Sequence, residues 1–285
     1  MRRTGTCAAI FAPATLVITL LIGPGASAES AQHGRSVTEA EASEWHPERA
    51  ITPAEAEAEA WSPDARPAKH YAKTRAGDVS FSVFDMRGRQ REFGGGNSAY
   101  MASTFKVMLM VAYLRKARDR DLTGHDRSLL EPMIRRSDNE TASRIDAMLG
   151  RDPIERLADD ADMKEFRWHD TWGLSQSTPR DQAYFMRTLR HYVPERHWDY
   201  ARRLLATITS SQRWGIGKVG VRGWHLYFKG GWGSGTGWVN HQVVLLTKDQ
   251  QRIGLAVFTE RSPSHDYGKK TLKEVFRILL RDLPR

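Results

Sequence analysis

The stretch WHLYFKGGWGSGTGWVNHQVVLLTKDQQRIGLAVFTE, Trp224–Glu260, contains three apolar runs. WHLYFK, WVNHQVVLLT and RIGLAVFTE are rich in aliphatic and aromatic residues, and GGWGSGTG and KDQQ join them. Apolar runs of this length bounded by Gly-rich or polar turns predict three strands linked as hairpins, and hence antiparallel. Near the other end, VSFSVFDM (79–86) alternates, with Val79, Phe81 and Val83 on one face. It reads as a strand, RGRQ as a turn and REFGG as a short partner strand. Helical patterns lie between: Met101 to about Arg118, Ser128–Leu149 broken at Pro132 and ended by Gly150, 152–161, TPRDQAYFMRTLRHY (178–192) and 196–208. KKTLKEVFRILLRDL (269–283) closes the chain as an amphipathic helix. Two strands, a helical block, three strands and a helix predict an α+β fold, in which a five-stranded antiparallel sheet packs against a helical lobe.

Outside that domain, expected over 76–285, the chain changes character. Arg2 and Arg3, the apolar run CAAIFAPATLVITLLIG and the small-residue site ASA at 26–28 have the pattern of a secretory signal peptide, residues 1–28. Residues 29–75, rich in Ala, Glu and Pro with few aliphatics, read as a disordered linker. The single cysteine, Cys7, falls within the signal segment, which excludes disulfides and cysteine chemistry from the mature chain. The histidines lack ligand spacing, so neither a metal nor another cofactor is expected. The net charge of +9 comes from 43 basic and 34 acidic residues, and the arginines are scattered. That favours general solubility or contact with an anionic cell envelope over nucleic-acid binding. A secreted monomer acting on a small molecule is the expectation.

Three motifs carry chemistry: STFK (Ser103 and Lys106), SDN (Ser137–Asp138–Asn139) and KGG (Lys229–Gly230–Gly231) at the end of a predicted strand. With Ser at roughly 7% and Lys at roughly 6% of positions, S-x-x-K arises about once per chain of this size by chance, and S-D-N on the order of a few hundredths of a time. Their joint occurrence in this order is what carries weight. Residues three apart on a helix share a face, so Lys106 can reach the Ser103 hydroxyl. Serine needs a base to act as a nucleophile, and lysine becomes one when burial or a nearby cation lowers its pKa. Lys229 is a candidate for that cation.

The three motifs resemble the signature of class A β-lactamases and penicillin-binding proteins. The resemblance covers roughly Val79 to the C-terminus and includes TPRD and GWVNHQVVLL. It implies acyl-enzyme formation on Ser103 with β-lactam or peptidoglycan-like amides and esters. It further implies that Lys106 is the base, that Ser137 relays a proton to the leaving nitrogen and that Asn139 holds a substrate amide. The N–H groups of Ser103 and Trp232 would form the oxyanion hole, with Lys229 and Gly231 lining the substrate site. Two departures stand out. Gly230 replaces the hydroxyl residue that the family uses to bind a substrate carboxylate, leaving Ser234 or Thr236 as substitutes. The E-x-x-L-N deacylation motif is missing from EFRWHDTWGLSQSTPRD, which leaves Glu165, His169 and Asp170 as candidate bases. Acylation is therefore better supported than turnover. The alternatives are a penicillin-binding peptidase or esterase and a catalytically silent binding protein of the same fold.

Overall fold

The computed structural model describes residues 61–234 and 237–285. The expected signal peptide and residues 29–60 of the expected linker lie outside the described residues, as does Thr236.

The linker reading fails at its C-terminal end. Residues Arg66–Lys73 form helix α1, with Pro67 in its first turn and Ala68 and Ala72 buried. Next to it, Arg75 donates from Nε to Thr271 Oγ1 at 3.2 Å and lies over the Tyr267 ring. The low aliphatic content misleads here because two alanines suffice for a close contact between helices.

The predicted strands are β1 (Asp78–Phe84), β2 (Gln90–Phe93), β5 (His225–Gly233), β6 (Val239–Lys248) and β7 (Gln251–Glu260). They form one antiparallel sheet in the order β2-β1-β7-β6-β5, so the first strand pairs with the last through Phe81 opposite Val257. The alternation in β1 suggested one buried face, yet Ser80 and Ser82 are buried as well as Phe81 and Val83. Helices pack against the sheet: α6 (Pro179–Arg187) contacts β1, β6 and β7, and α9 (His265–Leu279) contacts β6 and β7. The small pair β3 (Ala99–Tyr100) and β4 (Gln176–Ser177) ties the entrance of the first motif to the loop before α6.

In α6, Thr178 caps the helix by accepting from Asp181 N–H, with Pro179 in the first turn, as the TPRD pattern predicts. The Met101–Arg118 helix begins differently from its prediction. A 3₁₀ turn, Ala102–Phe105, precedes α2 (Lys106–Lys116), whose residues 106–114 are all buried. A helix apolar on every side belongs inside the lobe, and α2 is its axis. Around it run α3 (Gly124–Glu131), α4 (Asn139–Leu149) and α5 (Arg151–Asp160). Pro132 does break the second helical region: a π-helical turn, Pro132–Arg136, follows α3 and ends at Ser137. The first of the Gly-rich turns is shorter than predicted, because β5 continues through Lys229 to Gly233. Lys229 therefore lies within a strand, and not at its end.

Candidate active site

Two backbone features orient the expected catalytic groups. Ala102 has φ +46°, in the left-handed region, immediately before Ser103. Ser137 has φ 63° and ψ 33°, also left-handed, where the π-helical turn meets α4. Non-glycine residues take this conformation at an energetic cost and concentrate at functional sites. Neither is visible in the sequence.

At Ser137 the consequence is direct. Its carbonyl oxygen accepts from Lys106 Nζ at 2.6 Å. Its hydroxyl lies 2.8 Å from Lys229 Nζ and 3.4 Å from Lys106 Nζ. One serine thus bridges two lysines from different elements, α2 and β5. Lys106 also donates to Asn139 Oδ1 at 2.7 Å, and Lys229 to the Gly230 carbonyl at 2.8 Å. Asp138 does not line this cluster by hydrogen bonding. It caps α4 by accepting from Thr141.

Both lysines are almost entirely withdrawn from solvent, at 0% and 1% exposure. Burial disfavours the ammonium form and lowers the Lys106 pKa to about 7, against a smaller opposing pull from Asp138. Burial lowers Lys229 as well, reinforced by repulsion from Lys106. Burial, more than the neighbouring cation, is what prepares Lys106 as a base.

Ser103 lies half-buried in the 3₁₀ turn, one turn before Lys106, whose backbone N–H donates to the Ser103 carbonyl. Strand β5 runs tightly against that turn. A Cβ added to Gly231 would sit 2.8 Å from the backbone nitrogens of both Ser103 and Thr104, so only glycine allows this approach. Gly231→Ala is expected to cost about 1–3 kcal/mol in denaturant unfolding and to reduce acylation, because the strand must withdraw from the nucleophile. An unchanged unfolding midpoint would contradict this packing. Trp232 follows, half exposed, and Trp232 and Trp238 each meet the His265 ring edge-on, with centroids 5.0 and 4.7 Å away.

The loop before α6 carries the three candidate deacylation bases. Glu165, His169 and Asp170 are exposed, and none hydrogen-bonds to Ser103, Lys106, Ser137 or Lys229. His169 Nδ1 accepts from Thr171 N–H, and Glu165 pairs with Arg167 at 3.8 Å. Instead, Trp172 from this loop places its ring 4.9 Å from Lys106 Nζ and anchors its indole N–H on Ser143 Oγ. The sequence offered no signal for Trp172, since loop tryptophans have no diagnostic spacing.

At the third motif, a Cβ on Gly230 would lie 2.6 Å from Trp214 Cζ2. An indole occupies the space of the missing side chain. Ser234, a candidate replacement for the lost hydroxyl, is exposed in the β5–β6 turn.

Two buried lysines on either side of a serine, one turn from a second serine and backed by an antiparallel sheet, define a β-lactamase-like serine hydrolase. Residues 126–283, more than half of the chain, match the model of the beta-lactamase enzyme family, and the chain belongs to that family. The matched region holds the second and third motifs, and Ser103 lies upstream of it. The fold is similar to that of the beta-lactamase from Sphaerobacter thermophilus DSM 20745, at 20% identity and TM-score 0.67 over 77% of this chain and 97% of that one. It is also similar to the class A beta-lactamase from Mycobacterium abscessus, at 21% identity and TM-score 0.65 over 78% and 98%. PBP-A is a further likeness, at 15% identity and TM-score 0.65 over 78% and 98%. No curated protein matches the sequence.

Proposed function

We propose that the protein is an exported enzyme that is acylated on Ser103 by β-lactams or related amides and esters and releases the acyl group slowly. The observation that carries this reading is the Ser137 hydroxyl held between two buried lysines. Neutral Lys106 takes the Ser103 proton as the hydroxyl oxygen attacks the carbonyl carbon. The oxyanion is held by the N–H groups of Ser103 and Trp232. As the C–N bond breaks, Ser137 gives its proton to the nitrogen and recovers one from Lys106, so the serine proton ends on the leaving group. Asn139 orients the substrate amide, and Lys229 keeps the Ser137 hydroxyl in place.

Slow release is supported by the Trp172 ring 4.9 Å from Lys106 Nζ and by the lack, among the described residues, of a carboxylate hydrogen-bonded to Lys106, Ser137 or Lys229. It favours a penicillin-binding peptidase or esterase over a fast β-lactamase. The export reading rests on the pattern of residues 1–28. The test is labelling with a penicillin, followed by intact mass over time. A stable adduct mapped to Ser103 supports the reading, rapid loss of the adduct points to a working β-lactamase, and no adduct points to a silent binding protein.

A further inference from the structure

The position where the family's third motif carries a hydroxyl is occupied by three residues working together. Gly230 leaves room, and the Trp214 ring fills it with carbons: Cζ2, Cη2 and Cε2 would lie 2.6, 3.0 and 3.3 Å from a Cβ there. Across the β5–β6 pair, Gln242 stands opposite Gly230 and is completely buried. Both ends of its amide are engaged: Nε2 donates to the Trp214 carbonyl at 2.9 Å, and Oε1 accepts from Ile216 N–H at 2.8 Å. Gln242 therefore fixes the loop that carries Trp214 and offers no amide to a ligand. The adjacent Arg213 is directed elsewhere, over the Phe228 ring and onto the Ala206 carbonyl. Lys229 is committed to Ser137 and the Gly230 carbonyl.

We infer that Trp214 is a specificity-determining wall, selecting acyl donors with an uncharged group beside the scissile bond and disfavouring a carboxylate there. The inference rests on the reading of Ser103 as the acyl acceptor. A carboxylate entering this side of the site exchanges water for ring carbons, and a charge left without partners on desolvation is costly. An ester or alkyl group, in contrast, packs against ring carbons without that cost. The single polar atom of the ring, its N–H, is one neutral donor in place of a motif hydroxyl.

The test uses benzylpenicillin and its methyl ester, binding to Ser103→Ala protein by calorimetry so that no chemistry is required. With Trp214 intact, the ester is expected to bind about tenfold more tightly. Adding Trp214→Phe keeps the wall, removes the N–H and should preserve the preference. Adding Trp214→Ala and Gly230→Thr together, which avoids the clash of threonine with the indole, should abolish or reverse it, with thermal unfolding reporting that each variant is folded. Equal or tighter binding of the free acid with Trp214 intact overturns the inference, as does an absence of binding by both compounds. If the ester is preferred while the Ser103 enzyme is never labelled by either compound, the acylation reading falls and the wall stands.

Discussion

Replacing Lys106 with alanine is expected to lower the rate of Ser103 acylation by about 10³-fold, within the range removed when a positioned base is lost. Ser103→Ala should abolish labelling, so the pair separates nucleophile from base. Two features lead to this expectation. Lys106 is the cluster's only lysine within one turn of Ser103, and it contacts Ser137 and Asn139 as well. Removing its side chain therefore strips the base and leaves the Ser137 carbonyl and Asn139 Oδ1 without a donor. A stability control is needed, and Lys106→Met supplies it by filling the space without the charge. If Lys106→Met is folded and labels at a rate near that of the parent, the base is elsewhere and the mechanism is wrong. Stopped-flow or quenched intact-mass kinetics would measure the effect.

The second large effect is on pH. With a Lys106 pKa of about 7, acylation should rise roughly tenfold per pH unit below that value and level off above it. The same shift governs stability. The unfolded chain holds the Lys106 proton up to its ordinary value of 10.5, whereas the folded chain releases it near 7. Between those limits the unfolded state binds more protons, so this group makes the protein more stable as pH rises from about 7 to about 10.5. Below 7 its penalty is complete and flat. Lys229, lowered for the same reason, contributes with the same sign. Denaturant midpoints of the parent and Lys106→Met, compared across this window, isolate the effect. Their difference should shrink on going alkaline, with Lys106→Met the more stable at neutral pH. A constant difference, or an acylation rate flat from about pH 5 to about pH 9, would remove the case for a neutral Lys106.

Much of the fold could be read from local pattern. The three apolar runs at 224–260, the alternation at 79–86 and the REFGG segment after its turn mark five strands, because a strand buried on at least one side must repeat in apolar character. The cap of α6 was legible from Thr178, Pro179 and Asp181, since capping is a contact between near neighbours. Helix α1 escapes the sequence pattern because alanine carries little hydrophobic signal, even though two of them seal a helix contact. The motifs name Ser103, Lys106, Ser137, Asn139 and Lys229, and the structure links the last four in one hydrogen-bonded cluster. The deacylation candidates Glu165, His169 and Asp170 rest on nearness in sequence, and in the structure all three are exposed, with no hydrogen bond to the lysine–serine cluster.

The sequence alone determined the residue types available for chemistry, their order and the elements that carry them, because composition and short-range periodicity are properties of the chain itself. Tertiary structure decided their state. Lys106 has a lowered pKa because folding removes water from around α2, an environment set by distant segments. Ser137 bridges two lysines because β5 and the π-helical turn meet. Gly230 has its meaning from Trp214, sixteen residues earlier and held by Gln242 on another strand. Burial, coupling between charges and the filling of space left by a missing side chain depend on groups brought together only in three dimensions.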